Sequence, residues 1–292
     1  MNLKEKIFEN LIRFFAYITI FVTIGIIGIL FFETIEFFGE VSIVDFLFDK
    51  KWTPLFAEKH FGISPLLLGT FLTSAIAISI AVPFGIVIAI FLSEYSSQNL
   101  RKTLKPFLEL LAGVPTVVYG YFALLTITPI LQKIFPSIST FNALSAGIVM
   151  GFMIIPIVAS LSDDALNAVP MSLREGGYAL GSSRYEVALK IVLPSAFSGV
   201  ASACILGLSR AIGETMVVAI AAGQMPNLTL NPLEPVETIT AYIVQVSLGD
   251  TPVGSIEFKT IFVCGMVLFL FTFIFNLFSF YLRKSFEKKY AI

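Results

Sequence analysis

Two residues of opposite charge, Arg210 and Glu214, lie four positions apart inside a long apolar stretch of this 292-residue chain. In a helix, that spacing places the two side chains one turn apart on one face, where they can form an ion pair. Arg210 follows Ser195, near the start of the stretch, by 15 residues. This is about 22 Å along a helix, close to the middle of a bilayer. An arginine there costs about 2.5–3.5 kcal/mol and must face a polar interior or a partner.

The Arg210–Glu214 pair has two possible roles. In the first, it is a structural ion pair that holds packed helices in register. In the second, Arg210 lines a translocation path and contacts a passing oxyanion, because a guanidinium presents forked donors that match phosphate geometry. Glu214 offsets the local positive charge, which argues against the second role. The sequence leaves both roles open.

A second set of polar residues occupies the segment 172–194, which reads SLREGGYALGSSRYEVALKIVLP. Ser172 with Glu175, and Ser183 with Glu186, have the Ser-x-x-Glu spacing of a capping box. In that motif the hydroxyl and the carboxylate bond to free amides at a helix start. The spacing therefore predicts the starts of two short helices.

The ends of these two helices are predicted by Gly181 and Pro194. Glycine adopts the left-handed conformation of a helix C-terminus without steric cost. Proline cannot donate the backbone hydrogen bond that would continue a helix. We therefore expect two short helices with a tight bend, presented at the membrane surface as a docking element.

The composition predicts an integral membrane protein. Hydrophobic residues make up 57% of the chain and charged residues 13%, too few to cover a water-soluble globule of this size. The net charge of −1 gives no basic face for nucleic acid. Cys204 and Cys264 lie in apolar runs and are expected to be packed thiols. The single histidine, His60, has no metal-ligand spacing around it.

The chain is not expected to be an enzyme. It has no hydrolase signature, no paired nucleophile and base, and no metal-ligand cluster. It also has no glycine-rich nucleotide loop, so it is not expected to bind ATP by that route. We expect no cofactor and no metal in this chain.

Six segments are long and apolar enough to cross a bilayer as helices. They cover residues 14–32, 64–92, 104–131, 143–161, 195–223 and 260–282. Lysine and arginine concentrate in the connecting segments that face the cytoplasm when the N-terminus is inside. The positive-inside rule therefore places both termini and the segment 172–194 in the cytoplasm.

The opposite side carries two sizeable loops, residues 33–63 and 224–259. Trp52 in the first of these loops is expected to anchor the chain at the membrane interface, where tryptophan is enriched. The alternative is that Trp52 contacts a partner on the outer face.

The segment 172–194 resembles the cytoplasmic loop signature of ABC-importer permeases. The family pattern reads Glu-Ala-Ala, three residues, Gly, nine residues, Ile-x-Leu-Pro. Glu175, Gly181, Ile191, Leu193 and Pro194 match its fixed positions in type and spacing. Two glycines replace the two alanines, a departure that weakens the first helix by about 1 kcal/mol per glycine.

This resemblance implies a type I, MetI-like permease fold with six transmembrane helices and cytoplasmic termini. It implies that the five matching residues couple the chain to a separate ABC ATPase, a homodimer that binds ATP and Mg²⁺. A second permease subunit and an extracytoplasmic binding protein complete the implied assembly in the plasma (inner) membrane of a bacterium or archaeon. The implied domains are residues 1–63 (first helix and outer loop), 64–283 (a five-helix core containing the coupling loop 162–194) and 284–292 (a cytoplasmic tail).

Two further stretches, 113–124 and 206–223, resemble the C-type permease subunits of phosphate importers, as does the long first outer loop. The implied function is half of the translocation pathway of an ATP-driven importer for inorganic phosphate, served by a phosphate-binding protein. The alternatives within the class are a permease for molybdate, tungstate or sulfate, and the sister A-type phosphate permease. A membrane enzyme and a purely structural scaffold are the alternatives from other classes.

Overall fold

The computed structural model describes residues 3–290, and all of its regular elements in this range are helical. In chain order the α-helices are α1 (Leu3–Glu40), α2 (Ile43–Phe48), α3 (Ser64–Ile90), α4 (Gln98–Ala112), α5 (Thr116–Phe122), α6 (Thr128–Ile134), α7 (Ala143–Asn167), α8 (Met171–Ala179), α9 (Arg184–Glu186), α10 (Leu193–Ser195), α11 (Phe197–Ile212), α12 (Met216–Ala221), α13 (Ile239–Leu248) and α14 (Ile256–Tyr290). Three π-helical turns extend α3, join α5 to α6 and join α9 to α10: Phe91–Tyr95, Ala123–Ile127 and Val187–Val192.

Five continuous helical segments within the described range are long and apolar enough to cross a bilayer. They are Phe8–Glu40, Ser64–Tyr95, Thr116–Ile134, Ala143–Asn167 and Ile256–Tyr281. A sixth crossing contains Phe197–Ile212, which meets the preceding helical segment Arg184–Ser195 at a bend of 74°. The predicted all-α architecture with six spans is therefore confirmed.

Two predicted spans are interrupted in the structure. The third, predicted at 104–131, begins only at Thr116, because the chain breaks around Gly113 and Pro115 lacks the amide that would continue α4. Helix α4 is a separate amphipathic helix that carries the basic residues expected before the span. The fifth, predicted as one helix over 195–223, is interrupted after α11 at Gly213, and α12 follows the break.

The centre of the molecule is the contact between α3 and α7, with α11 packed against both. Gly147 and Gly151 of α7 face Ile76 and Ile80 of α3, and a Cβ at either glycine would come within 2.9 Å of an isoleucine carbon. Small residues four positions apart let membrane helices approach closely. This packing fixes the ends of α3 and α7, to which the polar features described below are attached.

Trp52 lies inside the protein, so its expected position as an interfacial anchor is wrong. Its side chain is 1% exposed and packs edge-to-face on Tyr242 of α13, with ring centroids 5.0 Å apart. The outer loop folds back through a β-bridge between Trp52 and Phe61. A hydrogen-bonded contact between His60 Nδ1 and Asp49 Oδ2, at 2.8 Å, lies beside this turn. Burial of the indole in this turn outweighs its preference for the interface.

The N-terminal helix α1 packs along the C-terminal helix α14. Residues 284–290 of the predicted cytoplasmic tail continue α14, and residues 291–292 lie outside the described part of the chain. The thiols of Cys204 and Cys264 are unpaired, and Cys264 is fully buried between packed helices, as expected of packed thiols.

Candidate functional site

Residues 171–195, from α8 to α10, form a helical hairpin at the inner ends of α3 and α7; we call this the cytoplasmic hairpin. Its bend is a Schellman motif, in which the amide of Ser182 donates to the carbonyl of Gly177 (3.1 Å) and that of Gly181 to Tyr178 (2.9 Å). Gly181 has φ +84°, a conformation that favours glycine. The predicted role of Gly181 as the end of the first helix is confirmed.

The two predicted capping boxes have different outcomes. Ser183 and Glu186 form the predicted box: the amide of Glu186 donates to Ser183 Oγ (3.3 Å), and the amide of Ser183 donates to Glu186 Oε2 (3.1 Å). Ser172 and Glu175 form none, because α8 begins at Met171 and its N-cap position is Pro170. Ser172 therefore lies one residue inside the helix and Glu175 is left exposed to solvent.

The predicted coupling residues lie on two sides of the hairpin. Glu175, Gly181 and Pro194 are exposed, whereas Ile191 and Leu193 are partly buried against the inner core. Ile191 packs beneath the first helix, where a Cβ on its neighbour Gly177 would come within 2.5 Å of the Ile191 side chain. Pro194 does not end the second helix as predicted. The helix ends at Ser195, and the bend to α11 follows at Ala196.

The outer surface of the cytoplasmic hairpin is apolar as well as polar. Leu180, at the bend, is 89% exposed, and the side chains of Met171 and Tyr185 are more than half exposed. Exposed apolar groups clustered with charged ones are typical of a protein-binding surface. The hairpin therefore presents a surface suited to a protein partner on the cytoplasmic side.

A buried ion pair fastens the cytoplasmic hairpin to the inner end of the second span. Arg174 of α8 donates to Glu94, in the π-helical turn that extends α3, with Nη2 2.8 Å from Oε1. The guanidinium also donates to the carbonyls of Val169 (2.6 Å) and Leu166 (2.8 Å). Both charged side chains are nearly inaccessible to solvent. The hairpin is thus fastened to α3 through a directional, multiply bonded contact.

A second group of ion pairs fastens α4 to the inner end of α7. Arg101 donates to Asp163 through Nη2 (2.8 Å) and Nε (3.1 Å), and Lys105 pairs with Asp164. Asp163 is fully buried and also accepts a hydrogen bond from Asn167 (2.7 Å). The inner ends of α3, α4, α7 and α8 are therefore joined by charged contacts.

No pattern in the sequence indicates the contacts of Glu94, Arg174 or Asp163. Glu94 and Arg174 are 80 residues apart, and Arg101 and Asp163 are 62 residues apart, so no local spacing connects them. In the sequence, Glu94 has only the pattern of a charge that ends a membrane span. The contact that gives it a role exists only after folding.

Arg210 and Glu214 are neighbours in the structure, but they do not lie on one helix as predicted. Helix α11 ends at Ile212, and Glu214 lies past the break at Gly213. The closest approach, from Arg210 Nη2 to Glu214 Oε2, is 3.7 Å. A direct charged hydrogen bond would be about 2.7–2.9 Å. The two side chains therefore form a loose ion pair.

The two members of this pair have different surroundings. Glu214 is buried, and its Oε1 accepts a hydrogen bond from the amide of Val217 at the start of α12 (3.4 Å). Its backbone carbonyl accepts from Thr240 Oγ1 (2.6 Å). The side chain of Arg210, in contrast, is 45% exposed. Glu214 thus organises the break, while part of the guanidinium remains available to another group.

The break itself lies at membrane depth. Arg210 is the fourteenth residue of α11, about 20 Å from the inner bend. Non-helical backbone at such a depth is tolerated only where protein covers it or where it lines a water-filled cavity. The arrangement provides an exposed cation beside an interrupted helix.

The sequence of this chain matches a family of membrane transport components. The family described as "Binding-protein-dependent transport system inner membrane component" matches residues 81–291. The probable ABC transporter permease protein YqgH of Bacillus subtilis is 37% identical over 243 residues, covering 83% of this chain and 78% of that protein. The phosphate transport system permease protein PstC of Mesorhizobium japonicum is 34% identical over 248 residues, covering 78% and 75%.

Solved structures show the same fold at low sequence identity. A bacterial ABC transporter involved in the import of the acidic polysaccharide alginate aligns with a TM-score of 0.61 at 16% identity, covering 96% of this chain and 95% of that one. A complex of a bacterial alginate ABC transporter with an alginate pentasaccharide-bound periplasmic protein aligns with a TM-score of 0.55 at 16% identity, covering 93% and 94%. The predicted resemblance in fold and family is confirmed.

Proposed function

The chain belongs to the binding-protein-dependent inner membrane components of ABC importers, and from this premise we propose that it carries inorganic phosphate. Members of this family are multi-pass permeases that work with an ATPase and an extracytoplasmic binding protein. The chain is therefore a transport subunit and not an enzyme. The observation that carries the cargo proposal is the half-exposed Arg210 at the interrupted fifth span, in a chain 34% identical to a PstC protein.

Arg210 suits an anionic cargo for a physical reason. Its guanidinium keeps donors that Glu214 does not occupy, and forked donors match the oxygens of a tetrahedral oxyanion. The loose geometry of the pair also fits a path that must release its cargo. The role proposed for Arg210 and Glu214 is to line one half of this path; a second permease subunit supplies the other half.

The cargo can be tested by competition in cells that depend on this complex for phosphate uptake. We expect excess unlabelled phosphate to abolish uptake of radiolabelled phosphate, and molybdate, tungstate and sulfate to leave it nearly unchanged. Inhibition by one of those anions at concentrations where phosphate does not compete would contradict the phosphate proposal. The permease function would then stand with a different oxyanion as cargo.

The cytoplasmic hairpin is the proposed contact with the ATPase. Its exposed surface, with Glu175, Gly181 and Leu180, would seat in the ATPase, a proposed homodimer that binds ATP and Mg²⁺. Ile191 and Leu193 lie on the opposite side of the hairpin and pack its helices against the inner core. Closure of the ATPase would move the hairpin, and the Arg174–Glu94 pair would carry that movement to α3.

Replacing Glu175 and Gly181 together by alanine should reduce co-purification of the ATPase at least about tenfold. A residue other than glycine in the left-handed conformation of Gly181 costs about 1–2 kcal/mol and reshapes the bend. The matched control is Gly176→Ala, in the same hairpin, where a Cβ would meet open space. This control should retain the ATPase; full retention by the double variant as well would refute the docking role.

A further inference from the structure

A small cavity opens between the two outer loops, on the side opposite the cytoplasmic hairpin. Its volume is about 270 Å³, and residues from both loops and from α13 line it. The residues that matter for its chemistry are Trp52, Phe56, Gln224, Met225, Glu237 and Tyr242. The translocation path proposed above makes no use of this cavity.

Glu237 is an unpaired carboxyl group in the wall of this cavity. The residue is 1% exposed, and its Oε1 has no hydrogen-bond partner. Among the described side chains, no basic group lies within ion-pair distance of it. Burial raises the pKa of Glu237 to about 8, so the unpaired carboxyl is mostly protonated at pH 7. Burying a carboxyl oxygen that has no hydrogen-bond partner costs free energy, and a partner that bonds to this oxygen removes that cost.

The backbone holds Glu237 in this position. The carbonyl of Glu237 lies against Gly69 of α3, where a Cβ would collide with it. On its C-terminal side, the amide of Ile239 donates to Thr70 Oγ1 (3.1 Å), and Thr238 Oγ1 accepts from the amide of Ala241 at the start of α13 (3.2 Å). The backbone that carries the carboxyl is thus held in place on both sides of Glu237.

The walls and mouth of the cavity favour a cationic side chain of a protein. Trp52 and Tyr242, each 1% exposed, line the inner wall with aromatic rings, a group that attracts ammonium and guanidinium ions, and Glu237 supplies the opposite charge. At the mouth, Phe56 is 64% exposed and Met225 55% exposed. Such apolar contacts around a desolvated pocket exclude water, as they do around an interface hot spot. The volume is also below the range of about 300–1,000 Å³ typical of small-molecule sites.

We propose that this cavity receives a lysine or arginine side chain of the extracytoplasmic binding protein and pairs it with Glu237. The inference rests on the proposed function as an importer served by such a protein. Insertion of the cation favours the ionised carboxylate, so a proton leaves Glu237 when docking occurs below pH 8. Docking therefore strengthens as the pH rises toward 8.

The contribution of Glu237 to the pH dependence of docking must be distinguished from that of other titratable groups near the cavity. Tyr242 and Cys264 interact with it electrostatically, from α13 and α14. In the neighbouring outer loop, Asp49 pairs with His60, and Lys59 pairs with Glu257 at the start of α14. Because all of these groups remain in a Glu237 variant, the difference between wild type and variant isolates the contribution of Glu237.

The test uses the complete complex in lipid nanodiscs and cargo-loaded binding protein, with docking measured by calorimetry. Glu237→Gln should weaken docking about 30-fold at pH 8.5, the equivalent of about 2 kcal/mol for loss of one member of a buried charge pair. The control Glu58→Gln removes the same charge from an exposed position of the first outer loop and should change docking less than threefold, on the order expected for a rim charge. Equal docking by wild type and Glu237→Gln would overturn the proposal.

A second readout uses only the wild-type complex. Docking to the wild-type complex at pH 7, measured in two buffers of different ionisation enthalpy, should release close to one proton, and the absence of release would also overturn the proposal. If methylguanidinium binds the complex in a Glu237-dependent way while docking is unaffected, the cavity is a small-cation site and the docking proposal is wrong. If no binding protein docks to wild type and no uptake occurs, the importer function itself fails together with this inference.

Discussion

Replacing Glu94 by alanine is expected to uncouple transport from ATP hydrolysis. The variant leaves the Arg174 guanidinium buried without its carboxylate, and breaking a buried pair in this way costs about 3–5 kcal/mol. The exposed surface of the cytoplasmic hairpin is unchanged, so the ATPase should still bind. The hairpin, however, would no longer be fastened to α3. We expect phosphate transported per ATP hydrolysed to fall at least about tenfold in proteoliposomes.

An exposed ion pair in the same hairpin provides the control. Lys190 and Glu186 are 2.9 Å apart, and both side chains are well exposed. Lys190→Ala removes this pair at a cost of at most about 0.5 kcal/mol. It should transport like the wild type. If Glu94→Ala keeps the wild-type ratio of transport to hydrolysis in a correctly assembled complex, the proposed mechanical link is wrong.

Replacing Arg210 by glutamine should lower phosphate transport about ten- to hundredfold while leaving the complex assembled. A hydrogen bond to a charged group contributes about 1.5–3 kcal/mol, which corresponds to that range of rates. Arg210→Lys keeps the charge but loses the forked donors, so an intermediate rate is expected. The measurement is the initial rate of phosphate uptake at saturating binding protein, normalised to the amount of assembled complex.

A double variant separates the two roles of this pair. If Arg210 only neutralises the buried Glu214, then Arg210→Gln transports phosphate slowly because Glu214 is left unpaired. Arg210→Gln combined with Glu214→Gln should in that case restore transport. If Arg210 contacts the anion, the double variant stays as slow as Arg210→Gln. Recovery in the double variant would therefore contradict the proposed role in the path.

Features set by local sequence could be predicted from it. The Ser183–Glu186 capping box and the left-handed Gly181 depend on residues within one or two helical turns, and both are present in the structure. The existence of the membrane spans follows from hydropathy summed over about 20 residues. The family signature in the hairpin is also a local motif, so it can be recognised without the structure.

Features that depend on competing local signals were predicted less well. Gly113 with Pro115, and Gly213, lie inside stretches apolar enough to look continuous, and there the backbone break prevails over hydropathy. Ser172 has the spacing of a cap, but Pro170 begins α8 earlier. Trp52 shows a third case, in which folding of the outer loop buries a side chain expected at the interface.

Contacts between residues far apart in the chain could not be predicted from the sequence. The Glu94–Arg174 pair and the Arg101–Asp163 pair join helices that meet only in the folded chain. The unpaired Glu237 is a similar case, because nothing in its sequence position indicates that it is buried. A single sequence contains no pattern from which such pairings, or the lack of one, can be read.

The most direct test of the account is transport by the purified complex in proteoliposomes, with binding protein inside and ATP added outside to inverted complexes. Radiolabelled phosphate placed with the binding protein should leave the lumen only when ATP, Mg²⁺ and the binding protein are all present. Transport should stop when the ATPase is inhibited. Phosphate movement that is independent of ATP, or ATP-driven movement of another oxyanion but not of phosphate, would contradict the account.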